Sequence, residues 1–462
     1  MERTHLWELM ISLNTSELRR SRQFLDLPEV NRRADVCALH DALVACRKRE
    51  QPPERMPVYA AIFGDETAYD DQAFRLVQSY LYRCLERFLV WEEGNFDADT
   101  AEPLLLRAYR KRRLDRHLLR ALKRQRSAAA KRPVDNAETR LADHLRTRER
   151  ATLLARAGRA RELNLQEVED SLDLAFYAFK LRQACFTRSH ESVFDVRYEP
   201  RLLPTILAAT AHQTTPAIAV YRTCYLALFE QPDDATFRAF RDQLRLHVAG
   251  FPAEESRSLY LLALNYCIRR INANDTPYLR EALELYTTGL RSRVLLENGQ
   301  ISRFSFNNAI GIALRLDELD QAADLLEAYS DTLDPTYRQA TEAFNRARLA
   351  FAQQRFEYAS DQLRLVDAKD PIHAMNARIL QLKIYFSTDD RYLFDQFLRT
   401  TRQFVRRHTR SYHHRLWRDI LRYLTKLYDL NPHDRRAKTD LRAAIIAEPQ
   451  LMERRWLLKQ LE

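Results

Sequence analysis

Glycine is the residue this chain uses least relative to expectation. Seven glycines in 462 residues is roughly a fifth of the ordinary usage of about 7%. Few positions are therefore left for tight hairpins, phosphate-cradling loops or left-handed helix caps. No G-x-G-x-x-G, G-x-x-x-x-G-K-[ST] or G-x-S-x-G occurs, so a Rossmann, P-loop or α/β-hydrolase enzyme is not expected. Cysteine is sparse too. Cys37, Cys46, Cys84, Cys185, Cys224 and Cys267 never form C-x-x-C and sit mostly among apolar residues, the pattern of reduced, buried thiols in a cytoplasmic protein. No apolar run reaches the ~20 residues of a membrane helix. The start, MERTHLWELMISLN, lacks the small-residue cleavage site of a signal peptide. A soluble, cytoplasmic protein with no membrane partner is expected.

What is abundant is charge, and it is unevenly placed. The net charge is +10, yet residues 107–132 hold twelve Lys or Arg and one Asp, leaving the rest of the chain at −1. Within that segment YRKRRLDRHLLRALKRQR reads as one helix, with Leu114, Leu118, Ala121 and Leu122 as its buried stripe. Its possible anion-binding residues are Arg110, Lys111, Arg112, Arg113, Arg116, Arg120, Lys123 and Arg124. Such a face is either solvated, paired with acidic residues of neighbouring helices, or a phosphate site, and nucleic acid is the alternative partner it suggests. It lacks the interleaved aromatics that single-strand stacking requires.

Elsewhere the apolar residues recur at helical spacing with no sustained alternation, so no strands are expected. Helix starts are marked by Thr215-Pro216, Thr276-Pro277, Asp334-Pro335, Asp370-Pro371 and Asn431-Pro432, a capping side chain before a proline. Asp135 with Glu138 and Asn164 with Glu167 have capping-box spacing. The segments 304–335 and 340–371 superpose at a shift of 36, setting Gly311 on Ala347, Ala323 on Ala359 and Pro335 on Pro371. The small residues would let paired helices approach closely.

FNNAIGIALRLDELDQAADLLEAYSDTLDP and FNRARLAFAQQRFEYASDQLRLVDAKDP share a small–alanine–proline frame that resembles the tetratricopeptide repeat. The Trp and Tyr positions of that family's first helix are not kept. The resemblance implies an all-α protein, an α-solenoid of antiparallel helix pairs whose first helices line a concave face. Asn308, Ile312 and Arg315 fall on or beside that face, as do Phe344, Asn345, Arg348 and Phe351. Asn308, Arg315, Asn345 and Arg348 are the candidate protein- or peptide-binding residues, and the phenylalanines are either contact or core. SELRRSRQFLDLPEVNRRADVCALHDAL, near the start, and AEPQLMERRWLLKQLE, at the close, resemble an uncharacterised family of long bacterial all-helical proteins, a likeness that brings no activity with it.

These observations give four expected regions: an N-terminal helical region with the basic helix (1–132), a helical connection (133–200), tetratricopeptide-like repeats (201–430) and C-terminal capping helices (431–462). The last helix should present Leu451, Leu457, Leu458 and Leu461 inward. No metal or cofactor is expected. His408, His413 and His414 have no ligand spacing, Cys37, His40 and Cys46 lack a fourth ligand, and acid pairs such as Glu254 and Glu255 read as first-turn or solvated acids. The expected function is a non-catalytic scaffold or adaptor that binds another protein or a peptide.

Overall fold

The structure, a computed structural model, describes residues 4–96, 98–129, 135–156, 163–191, 194, 196–366, 370–409, 413–431, 433–448 and 450–462. It is all-α. The chain divides into two units, Met1–Arg132 with Glu138–Ala175, and Pro133–Ala137 with Phe176–Glu462. The first holds α1 (His5–Ser12), α2 (Thr15–Leu25), α3 (Ala34–Lys48), α4 (Arg55–Phe63), α5 (Asp71–Phe96), α6 (Ala98–Lys111), α7 (Asp115–Ala129) and most of α8 (Ala137–Arg156), and the division falls inside α9 (Leu165–Glu191). The second continues with α10 (Leu203–Ala209), α11 (Pro216–Tyr225), α12 (Asp234–His247), α13 (Ala253–Asn272), α14 (Pro277–Arg291), α15 (Arg303–Arg315) and α16 (Leu319–Tyr329). It ends with α17 (Arg338–Ala352), α18 (Phe356–Leu363), α19 (Pro371–Ser387), α20 (Arg391–Arg407), α21 (His414–Tyr428), α22 (Arg435–Ala447) and α23 (Arg454–Lys459). The expected connection 133–200 is thus shared between the units, and the expected cap 431–462 is part of the second. No described helix is long and apolar enough to cross a membrane.

From α11 to α23 each helix packs on its neighbour in sequence, and α15, α17 and α19 also touch in turn. The turns closing the first helices of successive pairs share one geometry. Asn274, Asp317, Gln354 and Asp389 each have φ between 51° and 68°. The following N–H, of Asp275, Glu318, Arg355 and Asp390, bonds back to the carbonyl of Arg270, Ala313, Ala350 and Tyr385 at 2.8–3.0 Å. This is the Schellman closure, in which a left-handed residue lets two N–H groups satisfy carbonyls at the helix end. Glycine scarcity did not remove left-handed caps, as the composition suggested. Side chains with a Cβ fill them, at a cost of about 1 kcal/mol each.

A second departure is a two-residue antiparallel hairpin, β1 (Leu296–Glu297) with β2 (Gln300–Ile301). Asn298 and Gly299, both at positive φ, make the turn that an Asn-Gly pair favours. Helix starts were legible where proline sits at the first helical position, at Pro216, Pro277 and Pro371. At Asp334-Pro335 the Asp334 carboxylate accepts from the Thr336 N–H at 2.8 Å, and the helix begins only at Arg338. Asn431 caps the His433 N–H in the same way, and α22 starts after Asp434. Asn164 stands at φ 44° and donates its amide to Glu167, so the expected capping box is not formed there.

Each unit carries its own core. In the first, Met10, Leu39, Leu43, Leu81, Leu85 and Phe88 are fully buried together. In the second, α19 to α23 share a cluster around Trp417, Ile420, Leu424, Leu457 and Leu461. Glu255, in the first turn of α13 as expected, is buried rather than solvated. Its carboxylate accepts from the Tyr221 hydroxyl at 2.8 Å, the Asn136 amide at 3.1 Å and Arg182 at 3.4 Å. Burial first, then the Glu255 charge, drives the Tyr221 hydroxyl pKa far above its ordinary value.

Candidate functional site

The face built by α15, α17 and α19 gathers the repeat residues singled out in the sequence. Ser302 caps α15 by accepting from the Ser305 N–H, and Asp370 caps α19 by accepting from the Ile372 and His373 N–H groups. The same Asp370 pairs with Arg303 at 2.6 Å, tying the starts of α15 and α19 together. Near their C-terminal ends these helices carry Arg315, Arg348 and Lys383.

Arg348 bridges two of them. Its guanidinium donates to the Asn307 carbonyl at 2.9 Å and to Asn345 Oδ1 at 3.1 Å, and lies over the Phe344 ring. It also occupies the space a Cβ on Gly311 would take, with Nη2 nearest that position. Gly311 therefore admits a guanidinium, not the close backbone approach expected of it. Asn345 is wholly buried, its amide donating to Asn307 Oδ1 and the Thr341 carbonyl. This corrects its assignment as a contact residue: no ligand can reach it. Asn308 is exposed, close to Tyr286, whose hydroxyl pKa burial pushes up to about 12. Phe344 is core, packed with Ala347, Ala377 and Leu380.

Against Lys383 stands a carboxylate from the far end of the chain, Glu453. Glu453 Oε2 lies 2.6 Å from Lys383 Nζ. Lys383, only 9% exposed along its side chain, has Phe351 at 4.8 Å on one side and Trp456 at 5.2 Å on the other. Desolvation opposes ionisation of Glu453, but Lys383, Arg348 and Arg315 together hold its carboxyl below the usual range. Arg455 donates to the Arg315 carbonyl and pairs with Asp317 at 3.1 Å. Sequence reasoning missed Lys383, Glu453 and Trp456. The available signal was a lysine, one of ten in the chain, set inside the apolar run LQLKIYF.

The basic segment is a second site, in the first unit. It is not one helix, because the chain turns between α6 and α7. Arg113 stands at φ 57°, with the Leu114 N–H closing on the Tyr109 carbonyl at 3.0 Å. Leu114 is thereby outside the expected stripe and 38% exposed, while Leu118, Ala121, Leu122 and Gln125 form the buried side of α7. Arg110 pairs with Glu149 at 2.9 Å, and Arg112 donates to the Ala108 carbonyl. Lys111, Arg113, Arg116, Arg120, Lys123 and Arg124 are exposed, with no carboxylate within 4.0 Å among the described residues.

One buried chain has the order of a hydrolytic triad. Ser21 Oγ lies 3.0 Å from His40 Nε2, and His40 Nδ1 lies 3.4 Å from Asp41. Ser21 and His40 are at most 1% exposed, and the Ser21 hydroxyl donates to the Leu18 carbonyl. It is a core hydrogen-bond chain, and burial holds the His40 pKa below its ordinary value. Cys37 accepts from Asn31, His408 Nδ1 meets the Phe404 carbonyl, and His413 stacks on Trp417.

No model of a known family matches this sequence, and no curated protein or solved structure matches the chain.

Proposed function

We propose that this chain is a non-catalytic, cytoplasmic α-solenoid scaffold of tetratricopeptide-like helix pairs that binds a protein or peptide carboxylate on the face of α15, α17 and α19. The observation that carries this reading is the nearly buried Lys383 paired with the Glu453 carboxylate at 2.6 Å beside the Phe351 and Trp456 rings, with Arg348 and Arg315 adding positive charge that lowers the Glu453 pKa. The turn spacing supports the repeat: the left-handed residues Asp317, Gln354 and Asp389 recur close to the 36-residue offset of the sequence. Arg315 is exposed and available to a ligand. Charge-assisted hydrogen bonds of this kind contribute about 1.5–3 kcal/mol, or roughly 10- to 100-fold in affinity. Peptides selected from a random library on the full chain should be enriched in Asp and Glu, and Arg315→Glu should weaken them by at least about tenfold. Selected peptides that bind the variant and the parent chain equally would place the site elsewhere.

The unpaired cations of α6 and α7 favour a second reading, a polyanion-binding surface that holds nucleic acid phosphates. Six phosphate contacts predict a loss of about a thousandfold in affinity for a 20-base-pair duplex between 50 and 200 mM salt. The variant R116E/R120E/K123E/R124E should abolish that binding. Unchanged affinity in the variant, or a flat salt dependence, rules this reading out.

A further inference from the structure

We infer that the face of α15, α17 and α19 is a receptor for an acidic segment with an aromatic residue three positions after its carboxylate, and that Glu453 to Trp456 is the chain's own stand-in for it. The inference rests on the carboxylate-binding reading above and names both the partner chemistry and the element that regulates access.

The charges are the first argument. Lys383 pairs with Glu453 at 2.6 Å, and Arg348 and Arg315 lower the same carboxyl's pKa from outside ion-pair distance. Neither Arg315 nor Arg348 has a carboxylate within 4.0 Å among the described residues. An incoming segment with two carboxylates neutralises this face better than Glu453 alone does.

The aromatic requirement follows from Lys383. Its ammonium is clasped between Phe351, part of the receptor, and Trp456, which arrives with Glu453. A ring presented with the carboxylate completes the clasp by cation–π attraction and removes water from the ion pair.

The way the segment is held makes it replaceable. Glu453 lies outside α23 at φ 56°, and its side chain is 38% exposed, so solvent and competitors reach it. Trp456 is half-buried against Phe386. Trp456 sits at the rim of the cluster of Trp417 and Ile420, in which Leu457 and Leu461 are buried, so those two leucines still hold α23 when the indole leaves. A competitor therefore has to turn out one carboxylate and one indole, while α23 stays docked.

The experiment uses the full chain and a fluorescein-labelled acidic peptide, SDEAAWES, with its Trp three residues after Glu. The variant E453G/W456A should bind this peptide at least tenfold more tightly than the parent chain, and adding Arg315→Glu should remove the gain. Glycine suits the left-handed backbone at 453, and E453Q, which keeps the side-chain shape, should show a smaller gain in the same direction. The same peptide with Gln for Glu should bind no form. Equal affinity of parent, E453Q and E453G/W456A, with Arg315-dependent binding of library-selected peptides intact, overturns this inference alone. Absence of Arg315-dependent binding by any acidic peptide, in all forms, overturns the carboxylate-binding reading and this inference with it.

Discussion

Glu255→Ala should lower the unfolding free energy by about 3–5 kcal/mol, the cost of leaving buried donors without their charged acceptor. The carboxylate is the common acceptor for Tyr221 of α11, Asn136 just before α8 and Arg182 of α9. Tyr221 is 1% and Asn136 4% exposed, so water cannot substitute for the missing oxygens without opening the core. Truncation also takes the Glu255 carboxylate from Arg182, whose guanidinium lies over the Phe179 ring. Glu255→Gln keeps an acceptor oxygen for Tyr221 and should recover part of the loss. Urea unfolding checks this through the transition midpoint at constant slope. A shift below about 1 kcal/mol would mean that the network is satisfied by other means.

Trp417→Ala should cost a comparable amount, about 3–5 kcal/mol, for a different reason. The indole is 1% exposed and stands at the centre of the cluster joining α19 to α23. It packs near Phe404 on α20 and stacks with His413 at the start of its own helix. Removing it leaves a cavity between elements that meet across several turns of helix, which rigid helices cannot collapse to fill. Because Leu457 and Leu461 belong to the same cluster, the change should also loosen α23. Thermal unfolding followed by far-ultraviolet circular dichroism gives the measurement, with Trp417→Phe as the milder control. A loss confined to a few tenths of a kcal/mol would show that the ring is peripheral to this core.

The helical class was legible because it is written locally, in apolar spacing and in prolines whose missing N–H costs nothing at a helix start. Asp370-Pro371 opens α19 where the sequence put it, with two cap hydrogen bonds to the Asp370 carboxylate. Asp334-Pro335 looks the same in sequence, yet its carboxylate closes a turn onto Thr336 and delays α17 by three residues. Two geometries compete for one cap, and the sequence does not contain their energy difference. The Asn298-Gly299 hairpin has a turn signal in the sequence, but its strands are two residues each, too short for an alternating pattern to show.

The candidate site divides along the same line. Arg315 and Arg348 could be placed on one face because the 36-residue offset is internal to the sequence. That Asn345 turns inward while Arg348 turns across Gly311 depends on which neighbour offers a carbonyl, here Asn307. Glu453 could not be found at all by local reasoning, since the segment that delivers it meets α15 across a separation of 140 residues, as in the bond from Arg455 to the Arg315 carbonyl. The basic segment failed more instructively. Its charge was read correctly, but a single left-handed residue, Arg113, split one expected helix into two.

Gly311 and Arg348 carry a consequence for substitution at either position. A methyl group at 311 collides with the guanidinium, and a shorter side chain at 348 leaves the Asn307 carbonyl without this donor and a hollow over the glycine. The two positions are therefore coupled sterically: a larger side chain at 311 obliges the Arg348 guanidinium to move from its place beside the Asn307 carbonyl.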